Sequence, residues 1–294
     1  MPPTMQPSST TTHCAAQLAE LLVAHPRWTV LTGAGISTDS GIPDYRDAAG
    51  AWKRPAPVQF QDFMGSAATR QRYWARSLIG WPVFRQARPN AAHEALARLE
   101  QAGHVHQLIT QNVDGLHQQA GSRMVVDLHG RLDQVVCMGC RALSPRSSYQ
   151  GALLQANGSW RHRHAPAAPD GDADLHGVDF STFQVPPCPR CGGILKPDVV
   201  FYGENVPRPR VDAALQGLMQ SQLLLVVGSS LMVYSGLRFV RAARAQGLPV
   251  AAINLGATRA DGDFTLKHAG PCAPALAALA QMLAGAPGAV GSLS

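Results

Sequence analysis

The chain has 294 residues, of which 46% are hydrophobic and 15% charged, and its formal net charge is +6. This composition is typical of a globular protein and excludes a largely disordered one, and the length suits one large domain with a smaller one beside it. The positive charge would suit an acidic partner, but no block of basic residues occurs, so nucleic acid is not predicted as the main partner.

Neither a membrane span nor a targeting segment is expected. The most apolar stretch, residues 223–237, is interrupted by Gly and Ser, which is typical of a buried strand that enters a loop. Residues 1–13 lack the basic and apolar regions of a secretory signal, and no arginine precedes Arg27, which argues against a mitochondrial leader. The sequence therefore predicts a cytoplasmic protein.

Strands and helices alternate along most of the chain. After a disordered start over residues 1–13, helices are predicted at 14–25, at 91–102 with Asn90 as the N-cap, and at 237–246. Apolar runs predict strands at 28–32, 107–110, 124–128, 223–227 and 250–254. This alternation indicates an α/β fold with a mostly parallel sheet, which binds ligands at the carboxyl ends of its strands.

Two stretches interrupt the alternation and are predicted to be insertions. Residues 51–86 are aromatic and rich in Arg with weak helical periodicity, and residues 132–193 contain two pairs of cysteines. We therefore predict a large domain from residues 14–50, 87–131 and 194–284, a helical module at 51–86, a zinc-binding module at 132–193 and a flexible tail at 285–294.

A glycine-rich turn follows the first strand, with Gly33, Ala34, Gly35 and Ile36. Small residues there allow backbone N–H groups to approach a pyrophosphate, although many tight turns have the same pattern. The dehydrogenase fingerprint is incomplete, because its third small position falls on Thr38 and no acidic strand end follows about 20 residues later. The turn indicates either a dinucleotide site of another kind or a tight turn alone.

Polar residues also follow the next two strands. Gln111, Asn112, Val113 and Asp114 come after the strand at 107–110, and amide and carboxylate groups suit a carboxamide and ribose hydroxyls. Asn112 and Asp114 could equally form an Asx turn or cap the next helix. His129 follows the strand at 124–128 and is a candidate general base, although most of the eleven histidines will have no chemical role.

The cysteines form the most specific pattern. Cys137 and Cys140 make one Cys-x-x-Cys pair, Cys188 and Cys191 make another, and 47 residues separate the pairs. The pattern predicts one tetrahedral zinc ion, structural because four thiolates leave no open position; a redox-active pair is the alternative. The histidines between the pairs are more typical of solvated loops.

Later segments supply further candidates for binding. Val199, Val200 and Phe201 form an extended run that could pair with a peptide backbone or be an ordinary core strand. Two polar groups follow apolar strands and would suit ribose and phosphate: Gly228, Ser229 and Ser230, and Asn254, Leu255 and Gly256.

Taken in order, these motifs resemble the sirtuin family. GAGIS, GIPDYR, TQNVDGLH, LHG, the two Cys-x-x-Cys pairs, KPDVVFYGE, GSS and INLG carry the resemblance over roughly residues 14–272. RYWAR at 72–76, APDGD at 168–172 and the long excursion between the cysteine pairs are similar to class II sirtuins, the group with the mitochondrial lipoamidase/ADP-ribosyltransferase homologue.

The resemblance implies a Rossmann-like domain beside a smaller helical and zinc-ribbon module, with NAD and an acyl-lysine protein in the cleft between them. It implies an NAD-dependent protein lysine deacylase of the deacetylase type, which releases nicotinamide and O-acyl-ADP-ribose, with His129 as the general base. Asn112 and Asp114 would position the ribose and the carboxamide. The other residues implied for NAD are Gly33, Ala34, Gly35 and Ile36 at the phosphates, Asp44, Tyr45 and Arg46 in a capping loop, Gln111 and Val113, Gly228, Ser229, Ser230, Asn254, Leu255 and Gly256 at the adenosine, and Cys272 near the adenine.

Tyr73 and Arg76 bear on the choice of acyl group. They are three residues apart on a predicted helix and share a face. In sirtuins that remove acidic acyl groups, such a Tyr-x-x-Arg pair binds the distal carboxylate, so we hypothesise that glutaryl-type groups are preferred over acetyl. An arginine packed on Trp74 or facing solvent is the alternative.

Three other activities remain open from the sequence. A protein mono-ADP-ribosyltransferase would use the same NAD site, an NAD-linked dehydrogenase is disfavoured by the incomplete fingerprint, and a nucleic-acid-binding zinc ribbon would leave His129 and the QNVD segment without a role. The protein is expected to be a monomer.

Overall fold

The computed structural model describes residues 9–43, 57–163, 172–173, 175 and 177–284, with only the backbone course given for residues 9–15. The predicted flexible tail at 285–294 lies outside the described residues. Their strands are β1 (Trp28–Thr32), β2 (Val105–Thr110), β3 (Val125–Asp127), β4 (Gly130–Cys137), β5 (Leu143–Pro145), β6 (Leu195–Val199), β7 (Leu223–Val227), β8 (Val250–Ile253) and β9 (Leu266–His268). Their helices are α1 (Ser9–Ala24), α2 (Phe60–Gly65), α3 (Ala67–Phe84), α4 (Ala91–Gln101), α5 (Leu116–Gln119), α6 (Arg146–Ala156), α7 (Arg208–Met219), α8 (Tyr234–Ala245) and α9 (Cys272–Ala284).

A six-stranded parallel sheet forms the larger part of the molecule, in the order β3-β2-β1-β7-β8-β9. Every residue of β1, β7 and β8 is buried, as expected of parallel strands covered on both faces. Alternate residues of β7 enter different cores: Leu225 and Val227 pack with α4 and α9, and Leu224 and Val226 with α7 and α8. These observations confirm the predicted α/β fold with a Rossmann-like sheet.

The strand order reverses between β1 and β7, because the chain builds outward from β1 through β2 and β3 and then returns to the other side. Doubly wound sheets bind ligands at the carboxyl edge beside such a reversal of strand order. The motifs after β1, β2, β3 and β7 all meet at this edge.

A second, antiparallel sheet has the order β5-β4-β6. Its core is aromatic and includes Phe63, Tyr73, Trp74, Tyr149 and Phe201, contributed by α2, α3, α6 and the chain after β6. The predicted domain boundary at 193/194 assigns β6 to the large domain, whereas strand pairing joins β6 to β4 in the small sheet. The reason is local, because β6 starts four residues after Cys191 and stays close to the cysteine cluster.

Some element bounds differ from the prediction. Helix α1 begins at Ser9 and not at residue 14, so residues 9–13 are helical where disorder was expected. No proline follows Pro7 in this segment, so the backbone is free to continue the helix. In α4 the expected N-cap is confirmed, since the Asn90 side chain accepts from Ala92 N at 2.9 Å. In the described part of the chain, no helix has the length and apolar character needed to cross a membrane.

Candidate active site

A cavity of about 320 Å³ lies between the carboxyl edge of the large sheet and the small sheet. Ten of the residues predicted from the sequence line it: Ala34, Tyr73, Gln111, Asn112, Val113, Asp114, His129, Val199, Val200 and Phe201. They come from separate parts of the chain, and the strand topology brings them together.

The turn after β1 packs tightly against the loop after β7. The amides of Gly33 and Gly35 donate to the carbonyls of Val227 and Gly228 at 3.1 and 2.8 Å. A Cβ at Gly35 would lie 2.9 Å from the Gly228 carbonyl oxygen, and one at Gly228 would lie 2.5 Å from Ile36 N. Gly228 also has a φ of +59°, which disfavours other residues. These glycines are therefore required by the contact between two loops, in addition to any role in approaching a phosphate.

A hydrogen-bonded cluster lies under the cavity wall at Asn112 and Asp114. The Ser37 hydroxyl donates to Asp114 Oδ2 at 2.8 Å and accepts from Asn112 Nδ2 at 3.0 Å. Asn112 Nδ2 also donates to the Gly33 carbonyl, and Asp114 Oδ1 accepts from Leu116 N. Burial raises the pKa of Asp114, while these bonds act in the opposite direction. Asp114 both lines the cavity and forms an Asx turn with Leu116 before α5, so the two interpretations hold together.

Two buried histidines support this cluster from behind. The rings of His93 and His117 are 4.8 Å apart, and His117 Nε2 lies 3.0 Å from the Thr32 hydroxyl. Burial lowers the pKa of His93 to about 4 and lowers that of His117 well below its ordinary value. Both rings are therefore neutral near pH 7 and act as uncharged hydrogen-bonding groups in the core.

His129 has a fixed tautomer. Its Nδ1 lies 2.9 Å from the Gln111 carbonyl oxygen, which can only accept, so Nδ1 carries the proton. Nε2 is then the unprotonated nitrogen and accepts from the Ser235 hydroxyl at 2.8 Å. Burial lowers the pKa of His129 to about 4, with smaller contributions from Arg210 and Arg238. A neutral imidazole with its lone pair on Nε2 has the form required of a general base.

The segment after β6 forms another wall of the cavity. Val200 N donates to the His129 carbonyl at 2.8 Å, which joins this wall to the strand end that carries the histidine. The buried Lys196 ammonium donates to Glu204 Oε2 at 3.0 Å, and the same oxygen accepts from Phe201 N at 2.9 Å. These contacts hold Val199, Val200 and Phe201 in an extended course at the cavity.

The residues assigned to the adenosine half lie along the same sheet edge but outside this cavity. Ser229 Oγ accepts from Gln111 Nε2 at 2.7 Å, and Asn254 Nδ2 donates to the Gly256 carbonyl at 2.8 Å. Leu255 is exposed, and burial raises the pKa of Cys272 to about 12, so this thiol stays protonated. Ser230 follows Ser229 in the same loop, and Asp44, Tyr45 and Arg46 lie outside the described residues.

Tyr73 and Arg76 do not reach the cavity together. Tyr73 lines it and packs edge-on against Phe201, with ring centroids 5.3 Å apart. Arg76 points to another segment, where its Nε donates to the Ala173 carbonyl at 2.9 Å and lies 3.9 Å from Asp172 Oδ2. Arg76 is not among the residues that line the described cavity. The three-residue spacing from Tyr73 is therefore not enough to bring the Arg76 guanidinium into the cavity.

The four predicted metal ligands form one cluster. The sulfur atoms of Cys137, Cys140, Cys188 and Cys191 all lie within 4.8 Å of one another, and no disulfide joins them. The separations of Cys137 from Cys191 and of Cys140 from Cys188 are 3.5 and 3.9 Å. A tetrahedral Zn²⁺ with Zn–S bonds of 2.3 Å requires sulfurs about 3.8 Å apart. The cluster therefore fits a zinc ion and confirms that the residues are arranged to hold one.

Several residues at the site were not found from the sequence. Ser37 stands in the GAGIS motif without a predicted role, and Ser235 and Arg238 follow the GSS segment as ordinary members of a helix. Their positions depend on tertiary contacts, and only the clustering of polar residues near strand ends could have suggested them.

Comparison with known proteins gives a consistent result. Residues 33–235 match the model of the Sir2 family. Proteins named NAD-dependent protein deacetylase are 62% identical over 262 residues in Xanthomonas axonopodis pv. citri, covering 89% of both chains, and 63% identical over 248 residues in Bordetella bronchiseptica, covering 84% of this chain and 90% of that protein. A solved Sir2 complex with a p53 peptide and NAD⁺ superimposes with a TM-score of 0.72 at 29% identity, covering 90% of this chain and 97% of the other.

Proposed function

The chain belongs to the Sir2 family and is an NAD-dependent protein deacetylase, and we propose that His129 is the general base of the reaction. The observation that carries this assignment is a neutral imidazole with a defined lone pair on the same cavity as Asn112 and Asp114. Substrates of the class implied by the relatives are proteins that carry an acylated lysine.

The residues along the sheet edge fit a dinucleotide. Ala34 and its neighbours in the β1 turn would face the phosphates, and Asn112 and Asp114 the nicotinamide ribose and carboxamide. Ser230, Asn254 and Cys272 would lie at the adenosine half. When bound, NAD supplies an electrophilic ribose carbon with nicotinamide as its leaving group. The reversal of strand order at this edge supports this arrangement.

His129 would accept a proton from a ribose hydroxyl at Nε2. The bond from Nδ1 to the Gln111 carbonyl keeps the other nitrogen protonated, so the base is oriented before the substrate arrives. Because burial lowers the pKa of His129 to about 4, the base is unprotonated at neutral pH. The Ser235 hydroxyl must give up its bond to Nε2 when the ribose hydroxyl takes its place.

The protein substrate would pair as an extended strand with Val199, Val200 and Phe201. The fixed contacts of Lys196 and Glu204 support this role, because they hold the segment extended. Zinc at the four cysteines would be structural, since four thiolates leave no position for a substrate.

The acyl preference and the class II assignment rest on the sequence motifs. We infer that Tyr73 contacts the acyl group and that Arg76 contributes if it leaves Asp172. The test compares wild type and Arg76→Ala on acetyl-lysine and glutaryl-lysine peptides, and an unchanged ratio of the two rates would contradict a role for Arg76. The cytoplasmic location and the monomeric state stay predictions.

The central experiment is turnover of acetyl-lysine peptides by wild type and His129→Ala. Loss of the general base should lower kcat by about 100-fold or more, while zinc content and folding are retained. His162→Ala, at an exposed position, is the matched control and should keep full activity. Mass analysis should detect O-acyl-ADP-ribose, and ADP-ribosylated protein as the only product would indicate the transferase instead. Full turnover by His129→Ala would refute the assignment.

A further inference from the structure

The cavity contains a cationic group that the reaction described above does not use. We propose that Arg238 binds an acidic side chain next to the acyl-lysine of the protein substrate, so that the enzyme favours sites flanked by Asp or Glu. This inference rests on the proposed function, because it requires the peptide to lie in this cavity.

Arg238 is the only Lys or Arg among the described residues that line the cavity. Its Nε is buried and has no hydrogen-bond partner in the described part of the chain. A buried donor without a partner is costly, and a guanidinium can bind a carboxylate through two parallel hydrogen bonds. An incoming carboxylate would therefore satisfy a donor that the protein leaves unpaired.

Arg238 belongs to a small arginine–tyrosine cluster with Tyr234 and Arg241. The guanidinium carbons of Arg238 and Arg241 lie 5.3 and 5.6 Å from the centroid of the Tyr234 ring. Stacking orients a guanidinium through its face and leaves its N–H edge available. Tyr234 is the first residue of α8, and Arg238 and Arg241 follow on the next two turns.

The two carboxylates that line the cavity already have hydrogen-bond partners within the protein. Asp114 accepts from Ser37 and from Leu116 N, and Glu204 accepts from Lys196 and from Phe201 N. These two are the acidic residues among those that line the cavity in the described chain. The positive charge at Arg238 is thus complementary to a group that the substrate brings.

The cluster lies at the mouth of the cavity. Val233 and Tyr234 are 39% and 53% exposed, whereas Tyr73 on another part of the lining is only 3% exposed. The acyl group has to reach the inner wall beside His129, while the residues on either side of the lysine stay at the mouth. A flanking side chain of the peptide is therefore the group that meets Arg238.

The test measures binding and turnover of acetyl-lysine peptides that differ at one position. A single Glu replaces Ala at each position from two before to two after the lysine, and peptide affinity is measured by fluorescence anisotropy. Wild type should bind one of these peptides about fivefold to tenfold more tightly than the all-Ala peptide. The advantage should shrink at high salt, because ions screen the attraction between the peptide carboxylate and the guanidinium at the mouth of the cavity.

Arg238→Gln should bring the ratio of the two affinities to about one. Arg244→Gln, an exposed arginine on the last turn of the same helix, is the matched control and should keep the wild-type ratio. Arg238→Glu should favour a Lys-flanked peptide. The affinity ratio reports on this inference even without turnover, while turnover of the all-Ala peptide reports on the deacetylase assignment.

The following results would overturn the inference. They are a wild-type enzyme with no preference for any Glu position, a preference that survives in Arg238→Gln, and a loss of NAD affinity in that variant with an unchanged peptide ratio. A preference seen only for a carboxylate on the acyl chain would also refute it, since the group would then enter the cavity.

Discussion

The two sheets of this chain meet at the active site but are stabilised in different ways. Strands β1, β7 and β8 are buried along their whole length and have cores on both faces. In the small sheet, β5 is largely exposed and β4 is only partly buried over its first five residues, and the four cysteines lie near the end of β4. The large sheet can be stable through packing alone, whereas the small one depends on its aromatic core and on metal binding.

The two parts of the molecule would also have different roles in the reaction. The loops at the carboxyl edge of the large sheet hold His129, Asn112 and Asp114 through hydrogen bonds to Gln111, Gly33 and Leu116. The small sheet and α8 form the walls that would contact the protein substrate. Changes in the large sheet should therefore affect catalysis, and changes in the small sheet should affect contact with the protein substrate.

The largest effect is expected from loss of the metal. Cys188→Ser removes one thiolate of the four and should abolish stoichiometric zinc binding. Amide exchange by mass spectrometry should then show lost protection in β4 and β6, while β1 and β7 stay protected.

Cys272→Ser is the control for this variant, since Cys272 lies outside the cluster, and it should keep one zinc per chain. Equal loss of protection in both sheets would show that they unfold as one unit and are not stabilised separately.

A smaller effect, centred on the large sheet, is expected from Gly228→Ala. A left-handed φ costs alanine about 1 kcal/mol, and the added Cβ would meet Ile36 N at 2.5 Å. Gly247→Ala has a similar φ of +71° with no atom within 4 Å of its Cβ, so it reports the backbone cost alone. Urea denaturation should show that Gly228→Ala costs at least ~2 kcal/mol more, with weaker NAD binding. Equal costs would mean that the two loops separate easily.

The smallest effect concerns acid sensitivity of the large sheet. Since burial lowers the pKa of His93 from 6.5 to about 4, the unfolded chain binds a proton that the folded chain does not between these values. Stability contributed by the neutral ring is therefore complete above pH 6.5 and lost as the pH falls toward 4, by up to roughly 3 kcal/mol.

His93→Gln keeps a side-chain acceptor for the Asn90 amide but cannot titrate. Its unfolding midpoint in urea should depend less on pH between 6.5 and 4 than that of wild type. His162→Gln, at an exposed position, should leave the wild-type dependence unchanged. A pH dependence in His93→Gln equal to wild type would assign the acid sensitivity to His117 and His129.

The large sheet was predictable because each of its central strands is a continuous apolar run followed by polar residues. The fold class and the cysteine cluster are confirmed for the same reason, as each depends on a local pattern. Strands β5 and β9 contain only three residues each, too few for a periodic signal. The partners Ser37, His93 and Ser235 were missed because their contacts join residues far apart in sequence. Helix periodicity likewise could not predict that Arg76 donates to the distant Ala173 carbonyl.

The backbone of the small sheet is fixed beside His129, and this limits where the chain can change during evolution. His129 immediately precedes β4, and its carbonyl accepts from Val200 directly after β6, so the start of β4 and the end of β6 are fixed beside the catalytic residue. The 47 residues between the two cysteine pairs leave and return between these fixed points. Insertions or deletions in the exposed parts of that excursion, outside β5 and α6, can therefore accumulate over generations without shifting the position of the imidazole.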